Sequence, residues 1–211
     1  MLDRGFYYAG VFGCLILSAV ALAGSEEKND DVAPSAQEAK PLAVGVEVPD
    51  IEVQTIDGAS VNLGEDLSGQ AAAIVFYRGH WCPYCMKHLQ KLQEIEGKMQ
   101  EAGVKLVAIT TDKPEIAAKT RQQGFDFTIY SDSTLNAAKA MGVAFRLDPN
   151  TAAKYRDTLV ENTGHDKGEL PVPTVFLIDK YGKIQFVFSN PDYKIRLSNE
   201  DLLGEVKKLA K

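Results

Sequence analysis

The period of apolar and polar positions changes several times along this chain, and each change predicts an element. Residues 49–67, PDIEVQTIDGASVNLGEDL, alternate around Asp57-Gly58, the pattern of two short strands joined by a tight turn. AAAIVFYR (71–78) is a continuous apolar run, which predicts a buried strand. From Pro83 the apolar positions become Met86, Leu89, Leu92, Ile95 and Met99, a helical spacing that Gly103 ends. VKLVAITTD (104–112) reads as a second buried strand, and KPEIAAKTRQQG as a short helix with Pro114 in its first turn. FDFTIYSD is a third strand and STLNAAKAMG a third helix. Asp148 caps a further helix that has Pro149 at its first position. TVFLIDKYGKIQFVFS predicts two strands around Lys180-Tyr181-Gly182, and Ser198 with Asp201 opens an amphipathic C-terminal helix.

Strands alternating with helices imply an α/β domain: a mainly parallel central sheet with helices on both faces. The early hairpin precedes it, and the last hairpin supplies an antiparallel edge. In such sheets ligands sit beyond the carboxyl ends of the strands, and residues 79–85 fall there, between a strand end and a helix start.

Composition narrows the setting. The 211 residues are 45% hydrophobic, enough for one domain of about residues 42–211 plus an appendage. The net charge of −6, with no long basic run, gives no electrostatic basis for nucleic-acid binding. The first 23 residues have the layout of a secretory leader cut after Ala23: one arginine, an apolar middle, then Ala21-Leu22-Ala23. The alternative is a retained anchor, since residues 5–25 carry no charge and about 20 apolar residues span a bilayer. Either way an exported protein is expected, periplasmic if the source is bacterial, with membrane contact only if the segment is kept. Bulky Phe12 argues against lipidation at Cys14. Residues 24–41, charged and rich in Ala and Pro, read as a disordered linker.

Cleavage of the leader leaves only Cys82 and Cys85 in the mature chain. They lie in FYRGHWCPYCMKHL (76–89), and a disulfide that closes so small a loop contributes little as a staple. Such a pair suits opening and closing. Only a thiolate is a useful nucleophile. Cys82 stands just before a helix whose first position is Pro83, so free backbone N–H groups and the helix dipole point at its sulfur. Arg78, Lys87, and His80 or His88 if protonated add positive potential. Cys85 lies one turn further in, more shielded. Hence Cys82 attacks and Cys85 resolves, while Pro83 stiffens the ring and Trp81 covers the pair.

With these residues in view, the chain resembles the thioredoxin superfamily, and more closely its AhpC/TSA, peroxiredoxin-like branch. IEVQTIDGASVNLGEDL, IVFYRGHWCPYC and PVPTVFLIDKYGKIQFVFSNPDYKIRLS carry the likeness, over roughly residues 45–210. The resemblance implies a thioredoxin fold and a thiol-based redox or antioxidant enzyme without a bound cofactor. Its partners would be an external dithiol or thioredoxin-like protein, and a protein disulfide or hydroperoxide. It also implies that Pro173, before a late strand, is cis and presents backbone groups to a substrate chain. Typical peroxiredoxins place Thr three residues before the attacking cysteine and Arg before that late strand. Here Gly79 and Pro173 stand instead, and Arg78, Arg146, Arg156 and Arg196 are the candidates to replace the arginine. The departures favour disulfide exchange over fast peroxide reduction.

A metal site is the different-class alternative: His80, Cys82, Cys85 and His88 are a legitimate ligand set for zinc or copper. Four ligands in nine residues across a strand–helix junction would be strained, so no metal is expected. Residues 143–171 exceed a simple connection and lead to Pro173, a candidate wall for the substrate site. Tyr77 and Tyr84 flank the motif, and Tyr193 and Arg196 lie near the last hairpin, in what reads as a turn leading to the final helix.

Overall fold

A computed structural model describes Met1 and residues 32–209; the expected leader and most of the expected linker lie outside these. Nine strands and six helices follow in order: β1 (Glu52–Thr55), β2 (Ser60–Asn62), α1 (Leu63–Asp66), β3 (Ala71–Tyr77), α2 (Pro83–Glu101), β4 (Val104–Thr110), α3 (Pro114–Arg121), β5 (Thr128–Ser131), α4 (Asn136–Ala140), β6 (Ala144–Arg146), α5 (Pro149–Thr163), β7 (Glu169–Pro171), β8 (Thr174–Ile178), β9 (Ile184–Ser189) and α6 (Asn199–Leu209).

Seven strands form the main sheet in the order β2-β1-β5-β4-β3-β8-β9. Its centre, β5-β4-β3, is parallel. Both margins are antiparallel, through the β1–β2 hairpin on one side and β8–β9 on the other. The central strands are apolar on both sides because both faces are covered. One face packs Val75, Tyr77, Ala108 and Val175 against Leu89, Leu92 and Met99 of α2 and Leu202 and Val206 of α6, and this cluster includes both cysteines. The other packs Ile74, Phe76, Val107 and Phe176 against Leu63, Ala137, Ala138 and Met141. The parallel strands end together at Tyr77, Thr110 and Ser131, so the segments that follow them converge at one edge of the sheet.

A second sheet of two short strands, β6 and β7, lies in the long connection before Pro173. Residues 32–41, expected to belong to a disordered linker, pack against this region. Val32 is 3% exposed, Ala33 N–H donates to Ala144 O, and Arg146 N–H donates to Ala33 O. A linker composition is overridden here because an open strand edge offers backbone partners and Val32 finds an apolar seat.

The expected cis bond at Pro173 is also corrected: among the described residues every peptide bond is trans. A trans X–Pro bond is the intrinsically favoured form. The flanking groups are satisfied in it, since Val172 N–H donates to Val143 O and the Thr174 hydroxyl donates to Val172 O. Pro173 is itself buried.

Candidate active site

β3 delivers the motif. After Tyr77 the chain turns through Gly79, whose φ of +147° is a conformation L side chains rarely adopt. A Cβ at Gly79 would stand 2.5 Å from Trp81 Nε1 and 2.6 Å from Asp112 Oδ1, so this position excludes the threonine found there in typical peroxiredoxins. Cys82 is the N-cap of α2 in extended conformation, Pro83 occupies the first turn, and Cys85 and Met86 donate their N–H groups to Cys82 O.

The two cysteines are free thiols, 2% and 1% exposed, and Cys85 donates to Cys82 with 2.8 Å between the sulfurs. That hydrogen bond is the largest influence on Cys82, whose pKa falls to about 6. The Cys85 backbone N–H and the charges of Arg78 and Arg196 act in the same direction, against the cost of burial. Burial, then the donated hydrogen bond and the charge of Cys82, push Cys85 well above an ordinary thiol. Arg196, with Nη2 3.5 Å from Cys85 Sγ, pulls it down. One sulfur is thus prepared as a nucleophile and its neighbour is held protonated.

Arg78 and Arg196 are therefore the arginines at the pair. Arg146 instead pairs with Glu169 and Arg156 with Asp166. Arg78 is 6% exposed, with its guanidinium 5.0 Å from the Trp81 ring centre and 4.4 Å from that of Tyr193. Tyr193 also meets Tyr84 edge-on, at 5.5 Å. The segment read as a turn before the last helix thus bears directly on the site. Trp81 packs on the cluster that holds the cysteines and stacks on Tyr155 of α5, at 5.5 Å.

The expected help from histidines and Lys87 is absent. Lys87 is exposed. His88 is buried, and burial first, then the charge of Arg196, lowers its pKa to about 4, so it is neutral at working pH. His80 turns away toward Thr120 and Gln123. His80 and His88 are not drawn to the cysteines: among the described residues no three of His, Cys, Asp and Glu gather as a possible ligand set.

Asp112, after β4, was not singled out from the sequence. It is fully buried, accepts from His80 N–H at 2.6 Å, and leaves Oδ1 without a partner. Burial raises its pKa to about 7, and the negative Cys82 adds to the rise. The run of polar residues at a strand end, TTD, was its available signal.

A cavity of about 470 Å³ adjoins the site, with Arg78, Pro173 and Tyr193 in its lining. Its outer wall is the long connection, through Phe145 and α5 residues Lys154 and Tyr155, together with residues 34–37.

Comparison with known proteins identifies the family. Residues 44–187 match the family model described as AhpC/TSA family. The chain is 28% identical over 145 residues to the thiol-disulfide oxidoreductase ResA of Bacillus thuringiensis (strain Al Hakam), covering 68% of each chain. It is also 28% identical over 171 residues to peroxiredoxin Bcp of Escherichia coli (strain K12), covering 81% of this chain and 99% of that one. The fold superposes on peroxidoxin BcpB of Mycobacterium tuberculosis with a TM-score of 0.62 at 22% identity, over 80% of this chain and 98% of that one.

Proposed function

The chain belongs to the AhpC/TSA family and is a thiol-based oxidoreductase, and on that premise we propose that it works by thiol–disulfide exchange at Cys82 and Cys85. The observation that carries this reading is the asymmetry of the pair: Cys85 donates to Cys82 at 2.8 Å, with one pKa lowered to about 6 and the other raised.

The Cys82 thiolate attacks one sulfur of a disulfide R–S–S–R′. A Cys82–S–S–R bond forms and R′S⁻ leaves, taking up a proton. Charge on Cys82 disappears at that moment, so two of the influences that add to burial in raising Cys85, the donated hydrogen bond and the neighbouring negative charge, are removed and its thiol ionises more readily. Cys85 attacks Cys82 Sγ, RS⁻ leaves, and the internal disulfide closes. The two cysteines lose two electrons and the substrate disulfide gains them. An external dithiol or a thioredoxin-like protein restores the pair, and no cofactor takes part.

Hydroperoxide reduction is the second reading. The two guanidinium groups around the thiolate favour it, being placed to meet developing oxygen charge. Against it, Gly79 removes the hydroxyl that typical peroxiredoxins aim at the peroxide. Stopped-flow fluorescence of Trp81 separates the two. Disulfide exchange predicts that a small disulfide oxidises the reduced protein faster than hydrogen peroxide does at equal concentration. Oxidation by peroxide orders of magnitude faster than for an ordinary thiolate would establish the peroxidase instead. We further propose export, periplasmic if the source is bacterial, on the leader sequence alone; N-terminal sequencing of the mature protein tests it, with Gly24 first if Ala23 is the cleavage site.

A further inference from the structure

The cavity that Arg78 lines, and that neither cysteine lines, differs from a surface that receives an extended polypeptide. The natural place for a substrate strand is the backbone beside Pro173, and it is occupied from within. Val172 N–H goes to Val143 O, and Val172 O accepts from Thr174. The edge of β6 is likewise taken, by Ala33. The Val172 donor that an incoming strand would use is already spent within the chain.

The cavity offers side chains instead. Its volume of about 470 Å³ suits a small molecule. Three cations line it: Arg146 is paired with Glu169, whereas Arg78 and Lys154 have no carboxylate partner among the described residues. Arg78 is 6% exposed and its Nε has no hydrogen-bond partner, an expensive state for a guanidinium unless something negative approaches it. Asp148, the acid in the lining, is committed to the N–H groups of Asn150 and Thr151. Aromatic surface from Tyr155 and Tyr193 and the apolar Phe145 complete the lining. Arg78 both lines the cavity and acts on the Cys82 sulfur, so an acid group docked on it is brought to the neighbourhood of the nucleophile.

We propose that this cavity is the substrate pocket and that it takes a small disulfide carrying a carboxylate close to its sulfur–sulfur bond, an oxidised low-molecular-weight thiol, rather than a protein disulfide. The inference rests on the disulfide-exchange reading. Arg78 and Lys154 hold the carboxylate, and the aromatic residues pack along the short carbon chain. Cys82 forms a bond to the nearer sulfur while the sulfur–sulfur bond breaks. The far half leaves as a thiolate and is protonated by solvent, and Cys85 then displaces the near half.

Three small disulfides of similar size and different charge test this with the reduced protein: dithiodiglycolate, hydroxyethyl disulfide and cystamine. A thiolate with no pocket reacts fastest with the cation and slowest with the anion. The pocket inverts that order, so dithiodiglycolate should oxidise the pair at least tenfold faster than cystamine. Lys154→Gln, an exposed position that leaves folding intact, should narrow the ratio of dithiodiglycolate to hydroxyethyl disulfide rates several-fold. Cystamine fastest, an unchanged ratio in the variant, or insulin disulfides outpacing dithiodiglycolate would each overturn the pocket assignment while leaving disulfide exchange standing. If no disulfide oxidises the pair and hydrogen peroxide does, the exchange reading itself fails, and this inference with it.

Discussion

Arg196 Nη2 lies 3.5 Å from Cys85 Sγ although 111 residues separate them. Its charge bears on both sulfurs of the pair and on His88, and its Nε and Nη1 are buried without partners. The chain after β9 thus closes the electrostatic environment that the strand–helix junction begins.

Replacing that charge should disarm the nucleophile. Arg196→Met keeps the bulk and removes the cation, and loss of a nearby opposite charge raises a thiol pKa by about one unit. Alkylation of Cys82 by iodoacetamide near pH 6 should slow several-fold, with its midpoint moving up from about 6. The His88 titration, followed by NMR, should rise as well, because Arg196 helps hold it down. A slower rate with both midpoints unmoved would make Arg196 a packing residue only.

Cys82 also ties stability of the reduced form to pH. Its folded pKa, about 6, is below the ordinary value of 9.0. A depressed pKa contributes stability that is complete above the unfolded value and is lost as pH falls through the folded one. Urea unfolding under reducing conditions should therefore show the difference between native protein and Cys82→Ser growing between pH 6 and pH 9. A difference that is flat across that window would mean Cys82 titrates ordinarily.

Asp112 has the opposite sign. Burial raises it from 3.8 to about 7. A raised pKa stabilises most below the unfolded value, and the advantage is lost as pH rises through the folded one. Asp112→Asn keeps an acceptor for His80 N–H and removes the buried charge, so its melting temperature relative to native should climb from pH 4 to pH 8. A variant less stable at pH 8 than at pH 4, relative to native, would contradict this.

Gly79 is a steric requirement of the site. Gly79→Ala drives a Cβ against Trp81 Nε1 and Asp112 Oδ1 in a conformation disfavoured for alanine. Trp81 should move, changing its fluorescence in the reduced protein, and oxidation by disulfides should slow by at least tenfold. Unaltered fluorescence and rate would show that the turn relaxes freely.

Residues 32–34 should contribute to stability. Val32→Ala should cost about 1–2 kcal/mol, from two lost buried carbons and the cavity they leave. Chemical denaturation measures it, and no change would place this segment outside the folded unit.

The central strands and α2 were legible in the sequence because continuous apolar runs and a spacing of three and four positions have few other solutions. The cysteines and Arg78 were legible for a local reason: they lie within eight residues of one another at a strand–helix junction. What escaped was long-range. Arg196 and Asp112 reach the pair from other elements: Arg196 was one of four candidate arginines that sequence could not place, and the polar run TTD was the only local sign of Asp112. β6 and β7 have three residues each, too short for a period to show, and their sheet gives residues 32–34 the edge that composition could not foresee. The cis expectation at Pro173 came from resemblance, and the local hydrogen bonds of Val172 and Thr174 accompany the trans form instead.

The division of labour between the cysteines is tested most directly by trapping. Reduced Cys85→Ser and Cys82→Ser proteins are each mixed with one equivalent of dithiodiglycolate and examined by intact mass. Attack by Cys82 and resolution by Cys85 predict that Cys85→Ser accumulates one mixed disulfide on Cys82, while Cys82→Ser, left with a thiol that burial still holds protonated, accumulates almost none. Adduct on Cys82→Ser and none on Cys85→Ser would contradict the assignment.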